Sequence, residues 1–86
     1  MPPKHPRTRS SRNAPQKVFG AVLRELRQTQ GYSQDALAHR TGYHRNYVRQ
    51  LERGEKSPSL KALFDFAMSF GLVPSELLLR MERRMK

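Results

Sequence analysis

At 86 residues the chain has room for one small domain and not for a second core. With no cysteine it can use neither disulfides nor thiolate metal ligands, so apolar packing must hold its fold. Lysine and arginine number 17 against 7 acidic residues, a formal charge of +10, which exceeds what solubility needs and points to a polyanionic partner: nucleic acid, an anionic membrane surface or a ribosomal site.

Residues 1–16, MPPKHPRTRSSRNAPQ, hold four prolines and four basic residues and, after Met1, no acidic or large apolar side chain. Such a segment buries too little apolar surface to offset its ordering entropy, and a disordered basic arm ahead of a domain at 17–86 is expected. The basic N-terminus is followed by no apolar stretch of the kind a secretory leader needs. The longest apolar run, 18–23, is interrupted by Gly20 and far too short to span a bilayer. A cytoplasmic protein with no membrane partner is the expectation.

From Lys17 onward, Val18, Phe19, Val22, Leu23 and Leu26 fall on one helical face and Gly31 is a stop, giving a first helix over 17–30. Ser33 caps a short second helix, 34–41, which Gly42 closes. After Gly42 and Tyr43, the run HRNYVRQLERG carries Val48 and Leu51 three apart and ends at Gly54, a third helix over 44–53. Pro58 marks a turn, and Ser59 caps a fourth helix with an apolar stripe of Leu60, Leu63, Phe64, Ala67 and Phe70, ended by Gly71. Pro74 suits the first position of a last helix, whose Leu77, Leu78, Met81 and Met85 continue one face. The pattern predicts an all-α fold of five helices joined by short loops, without internal repeats.

The second and third helices meet across so few residues that they must cross steeply, which calls for small residues at the crossing: Ala38, and Gly42 for a left-handed turn. Leu37, Val48 and Leu51 then bury against the first and fourth helices. With Val48 and Leu51 inward, the helical period turns His44, Arg45, Asn46, Arg49 and Gln50 outward. Nearly all of these side chains hydrogen-bond. Arginine can donate twice to the guanine O6 and N7 edge, and asparagine or glutamine can bridge adenine N6 and N7, so this surface has what major-groove readout requires.

These residues, read together, resemble the Cro/cI-type (XRE) helix-turn-helix family. The matches are Ser33 and Gln34; Leu37 and Ala38; Gly42; Val48 and Leu51; Glu52, Arg53 and Gly54. They continue through Pro58, Ser59, Leu60, Leu63, Ala67 and Gly71 to Glu76, Leu77 and Leu78, so the likeness spans about 17–79. It implies a compact five-helix, lambda-repressor-like DNA-binding domain, and a regulator that binds a palindromic operator as a homodimer. His44, Arg45, Asn46 and Gln50 take the positions that approach base edges. Ser33, Gln34, Tyr47, Arg49 and Arg53 are assigned to phosphates, with Gln34 also bracing the reading helix. Arg27 and Glu52 resemble a family ion pair between the first and third helices. The sequence departs from the family pattern at three places: His44 stands where a Ser or Thr cap is usual, Tyr43 where an aliphatic residue is, and Val73 where a capping Ser is.

Blander readings stand beside these. Arg45, Arg49 and Arg53, four apart, also suit a solvated stripe pairing loosely with Glu52 and Glu55. The arm, with Arg7, Arg9 and Arg12, is either a plain tail or a minor-groove contact that adds affinity with little sequence information. The Leu77, Leu78 and Met81 stripe suits a core more than an interface, yet Leu79, Met81 and Met85 are more apolar groups than one terminal helix buries, which suggests a dimer contact. Competing functions are an antitoxin-type interaction module that also binds its own operator, and a general basic nucleic-acid or ribosome-associated protein; a toxin or RNA polymerase is a candidate protein partner. His5, His39 and His44 lack ligand spacing, so neither a metal, a cofactor, a small-molecule ligand nor an enzyme is expected.

Overall fold

Pro15 opens the first helix in the computed structural model, which describes residues 14–86. A proline costs nothing there because the first helical N–H has no intrahelical partner. The Lys17 and Val18 N–H groups donate to the Ala14 carbonyl at 2.9 and 3.0 Å. Helix α1 (Pro15–Thr29) therefore begins two residues ahead of the expected start, with Pro15 and Gln16 in its first turn. Arg7, Arg9 and Arg12 lie outside the described residues.

Four more helices follow: α2 (Gln34–Thr41), α3 (Arg45–Glu52), α4 (Leu60–Ser69) and α5 (Pro74–Met85). No strand occurs among the described residues, and no single helix there is long and apolar enough to cross a membrane. His44 and Arg53, expected as the ends of α3, are its flanking caps. Ser33 and Ser59 cap α2 and α4, each hydroxyl accepting from the N–H three residues on, at 3.0 Å. Val73 has no side-chain oxygen, and its helix start is secured from the other side: the Val73 N–H donates to Glu76 Oε1 at 3.0 Å.

The core unites Val18, Phe19, Val22, Leu23 and Leu26 of α1 with Leu37, Ala38, Val48 and Leu51 of the two central helices. Ala62, Phe66, Ala67, Phe70, Leu77 and Met81 complete it. Each large side chain buried here contributes about 1.5–3 kcal/mol relative to exposure. Phe19 and Phe66 meet edge to face at 6.4 Å.

On α4 the inward face differs from the expected stripe: Leu60 and Phe64 face solvent while Ala62 and Phe66 are buried. Apolar residues lie almost all round this ten-residue helix, so its own period cannot choose a face. The rings of Phe19 and Tyr43, packed on Phe66, make the choice. Along α5, Leu77 and Met81 share the inward face, and Leu78 and Met85 are turned outward.

Gly20 sets how closely α1 approaches α3. A Cβ at this position would lie 2.3 Å from the Leu51 carbonyl oxygen and 2.7 Å from that of Glu52. Without a side chain at Gly20, the backbone of α1 rests directly on the C-terminal turn of α3.

Candidate nucleic-acid interface

The turn between α2 and α3 depends on Gly42, whose φ of 80° lies in the left-handed region that other residues enter only at a cost. The Gly42 and Tyr43 N–H groups both donate to the Ala38 carbonyl, at 2.8 and 3.1 Å, and this folds the chain back sharply. Ala38 is buried at the crossing, as its size suggested.

Tyr43 fits because its ring has somewhere to go. It stacks on Phe66 at 5.3 Å between ring centres and lies 5.2 Å from the ring of Tyr47. Its hydroxyl donates to Asp65 Oδ2 at 2.6 Å, and Lys61 Nζ donates to the same oxygen at 2.8 Å. Lys61 first, and Tyr43 second, hold the Asp65 carboxyl below the usual carboxylate value. In return, the Asp65 carboxylate pushes the Tyr43 hydroxyl above the usual tyrosine value, with burial adding to the shift. The turn is thereby tied to α4, a connection the sequence did not signal.

With Val48 and Leu51 fully buried, α3 presents Arg45, Asn46 and Arg49 to solvent, flanked by exposed His44 and Arg53; Tyr47 and Gln50 are half-buried. Arg49 Nη2 donates to Asn46 Oδ1 at 2.5 Å. Arg45 stands 3.3 Å from Asp35, and Arg53 stands 3.2 Å from Glu55. All four charged side chains are largely exposed, so water competes with these pairs and a ligand can displace them at little cost. Glu52 takes no part in this stripe. His44 makes no side-chain cap, and the Tyr47 N–H in the first turn donates instead to the His44 carbonyl at 3.0 Å.

Glu52 turns inward. Arg27 donates to it twice, Nε to Oε2 at 2.6 Å and Nη2 to Oε1 at 3.0 Å, and donates from Nη1 to the Tyr32 carbonyl at 2.9 Å. The two side chains are only 12% and 3% exposed. Hydrogen bonding to Glu52 raises the Arg27 pKa above the usual arginine value against the opposing effect of burial. Gln34 Nε2 donates to Glu52 Oε1 at 3.0 Å, so one carboxylate joins α1, the start of α2 and the end of α3. The Ser33 hydroxyl is occupied as the cap of α2.

The apolar groups left outside the core lie mainly on α4 and α5. Leu60, Phe64 and Met68 recur every four residues along the outer face of α4, with Leu60 74% and Met68 65% exposed. Val73, Leu78, Leu79 and Met85 are exposed as well. Met81, weighed both as core and as a dimer contact, belongs to the core one helical turn after Leu77, while Leu79 and Met85 stay exposed.

Comparison with known proteins accords with this architecture. The helix-turn-helix family model matches residues 23–78. The chain is similar to the HTH-type transcriptional regulator y4dJ of Sinorhizobium fredii (strain NBRC 101917 / NGR234), 31% identical over 71% of this chain and 79% of that protein. It is also similar to the control protein C.BamHI of Bacillus amyloliquefaciens, 32% identical over 71% of this chain and 76% of that one. Among solved structures it resembles the restriction-modification controller protein C.AhdI from Aeromonas hydrophila, with 41% identity, 74% of this chain and 97% of that one covered, and a TM-score of 0.71. The chain belongs to the Cro/cI-type (XRE) helix-turn-helix family.

Proposed function

We propose that the protein is a sequence-specific transcriptional regulator that binds double-stranded DNA as a homodimer, each α3 entering the major groove of one half of a palindromic operator. The observation that carries this reading is the two-sided build of α3: Val48 and Leu51 fix it from behind, and an exposed row of hydrogen-bonding side chains stands in front. Arg45, Asn46 and Gln50, with His44 at the helix start, read base edges. Arg49, Tyr47 and Arg53 hold phosphates, together with Ser33 and Gln34 at the start of α2, where helix N–H groups favour an anion. Arg7, Arg9 and Arg12 add sequence-independent affinity from the arm.

A second copy of the chain covers the apolar stripe of Leu60, Phe64 and Met68, extended by Leu78 and Leu79 of α5. Two-fold symmetry then sets the two reading helices about one turn of DNA apart, roughly 34 Å. Similarity to a transcriptional regulator and to control proteins weighs for this reading over an antitoxin-type interaction module. Footprinting with a salt series tests it. A protected two-fold site and a binding constant that falls steeply with salt are expected, whereas protection without sequence preference or a salt-independent Kd contradicts it.

A further inference from the structure

The face of α3 accounts for only part of the positive charge. A cleft of about 530 Å³ runs from the end of α3 across α1 to the last turn of α5, and Lys17, Arg24, Arg53 and Arg84 stand around it. An adjoining hollow adds Arg80 and Arg83. The carboxylates on these walls offset little of that charge. Glu52 is committed to Arg27 and Gln34, and Glu25 touches Arg84 at 3.4 Å in a pair exposed on both sides.

Two features decide what such a surface takes. Ala21 is the one apolar residue in the lining of the larger cleft. Protein interfaces are centred on desolvated aromatic or aliphatic anchors, and this cleft offers none. A phosphodiester backbone needs only cations and amide donors, which arginine, lysine and Gln28 supply. The cleft also begins at Arg53, the C-cap of α3, so it continues the proposed interface where the reading helix ends.

We infer that this cleft binds the phosphate backbone of the DNA flanking each operator half-site, beyond the base pairs α3 reads. The inference rests on the proposed function and extends it: half-site recognition by α3 is joined to a sequence-independent hold by α1 and α5.

The test compares two duplexes, one ending at the operator edges and one extended by about one helical turn, roughly 10 base pairs, on each side. The full chain is compared with a variant carrying Arg24→Gln, Arg80→Gln, Arg83→Gln and Arg84→Gln. The arm is intact in both proteins, so its contribution cancels. Extension is expected to tighten binding of the unmodified protein and to steepen the slope of log K against log salt by about two units per dimer, at about 0.9 per phosphate engaged. The variant loses that gain and keeps its preference for the operator over a scrambled short duplex. Circular-dichroism melting checks that the variant folds, and an Arg80→Gln, Arg83→Gln pair serves if the fuller variant does not.

Equal response to extension by both proteins overturns the inference, as does no response by the unmodified protein. If polyglutamate then displaces a probe from the cleft, the surface belongs to an acidic protein partner instead. Lack of any sequence preference on the short duplex contradicts the proposed function instead, since the cleft is read from the difference between duplex lengths.

Discussion

Along the inner side of α3, Val48 and Leu51 are fully buried and Glu52 accepts three hydrogen bonds from two other helices. Along the outer side, Arg45, Asn46 and Arg49 are held only by contacts that water weakens. One helix of eight residues thus has a rigid back and a replaceable front. Such a surface can be specific because the side chains that meet a ligand need not hold themselves in place: the opposite face does so. Substitutions behind the helix should cost stability, and substitutions in front should cost binding alone.

The largest effect is expected from Glu52→Ala, which leaves the Arg27 guanidinium nearly buried without its partner. The loss should be about 3–5 kcal/mol in denaturant unfolding, with DNA binding lost alongside. Gly20→Ala comes next. Its Cβ would press on the Leu51 and Glu52 carbonyls, which are backbone and cannot swing aside, so about 1–3 kcal/mol of stability should go and α3 should shift. In front, Arg45→Ala should leave the melting temperature unchanged and cost about 1–3 kcal/mol of discrimination at one base pair, measured with a panel of single-base operator variants. Arg49→Ala should weaken every sequence alike and lower the salt slope by about 1.

The smallest effect is expected from Tyr43→Phe, which removes only the hydroxyl that ties the turn to α4. Its loss should be smaller than that of any change behind the helix, and it should depend on pH. A carboxyl held below its usual value contributes stability above the unfolded-state pKa and loses it as pH falls through the folded one. The gap between the unmodified protein and Tyr43→Phe should therefore be steady near neutrality and narrow in acid as Asp65 protonates, as pH-dependent melts would register.

Most of α1, α2 and α3 was legible in the sequence because each had one apolar face and a marked end: Leu23 and Leu26 with Gly31, Leu37 with Gly42, Val48 and Leu51 with Gly54. Where apolar residues surrounded the helix, as on α4, the period gave no preference, and Phe66 was missed in favour of Phe64. On α5, Leu77 and Met81 were legible as one face, whereas Leu78, counted with them, stands one residue further round the helix and is exposed. The meeting of Gln34 with Glu52, and of Tyr43 with Asp65, joins residues 18 and 22 apart in sequence. Contacts of that range follow from how helices cross and leave no local pattern. Gly20 was the exception: a glycine inside an amphipathic helix signals close backbone approach, and that signal was present to be read.

The claim that α3 reads DNA with its outer face is tested most directly by selecting bound duplexes from a random pool with the full chain. Enrichment of one two-fold-symmetric sequence with half-site centres about 10 base pairs apart is expected. Recovery of unrelated sequences, bound no more tightly than the starting pool, would contradict it.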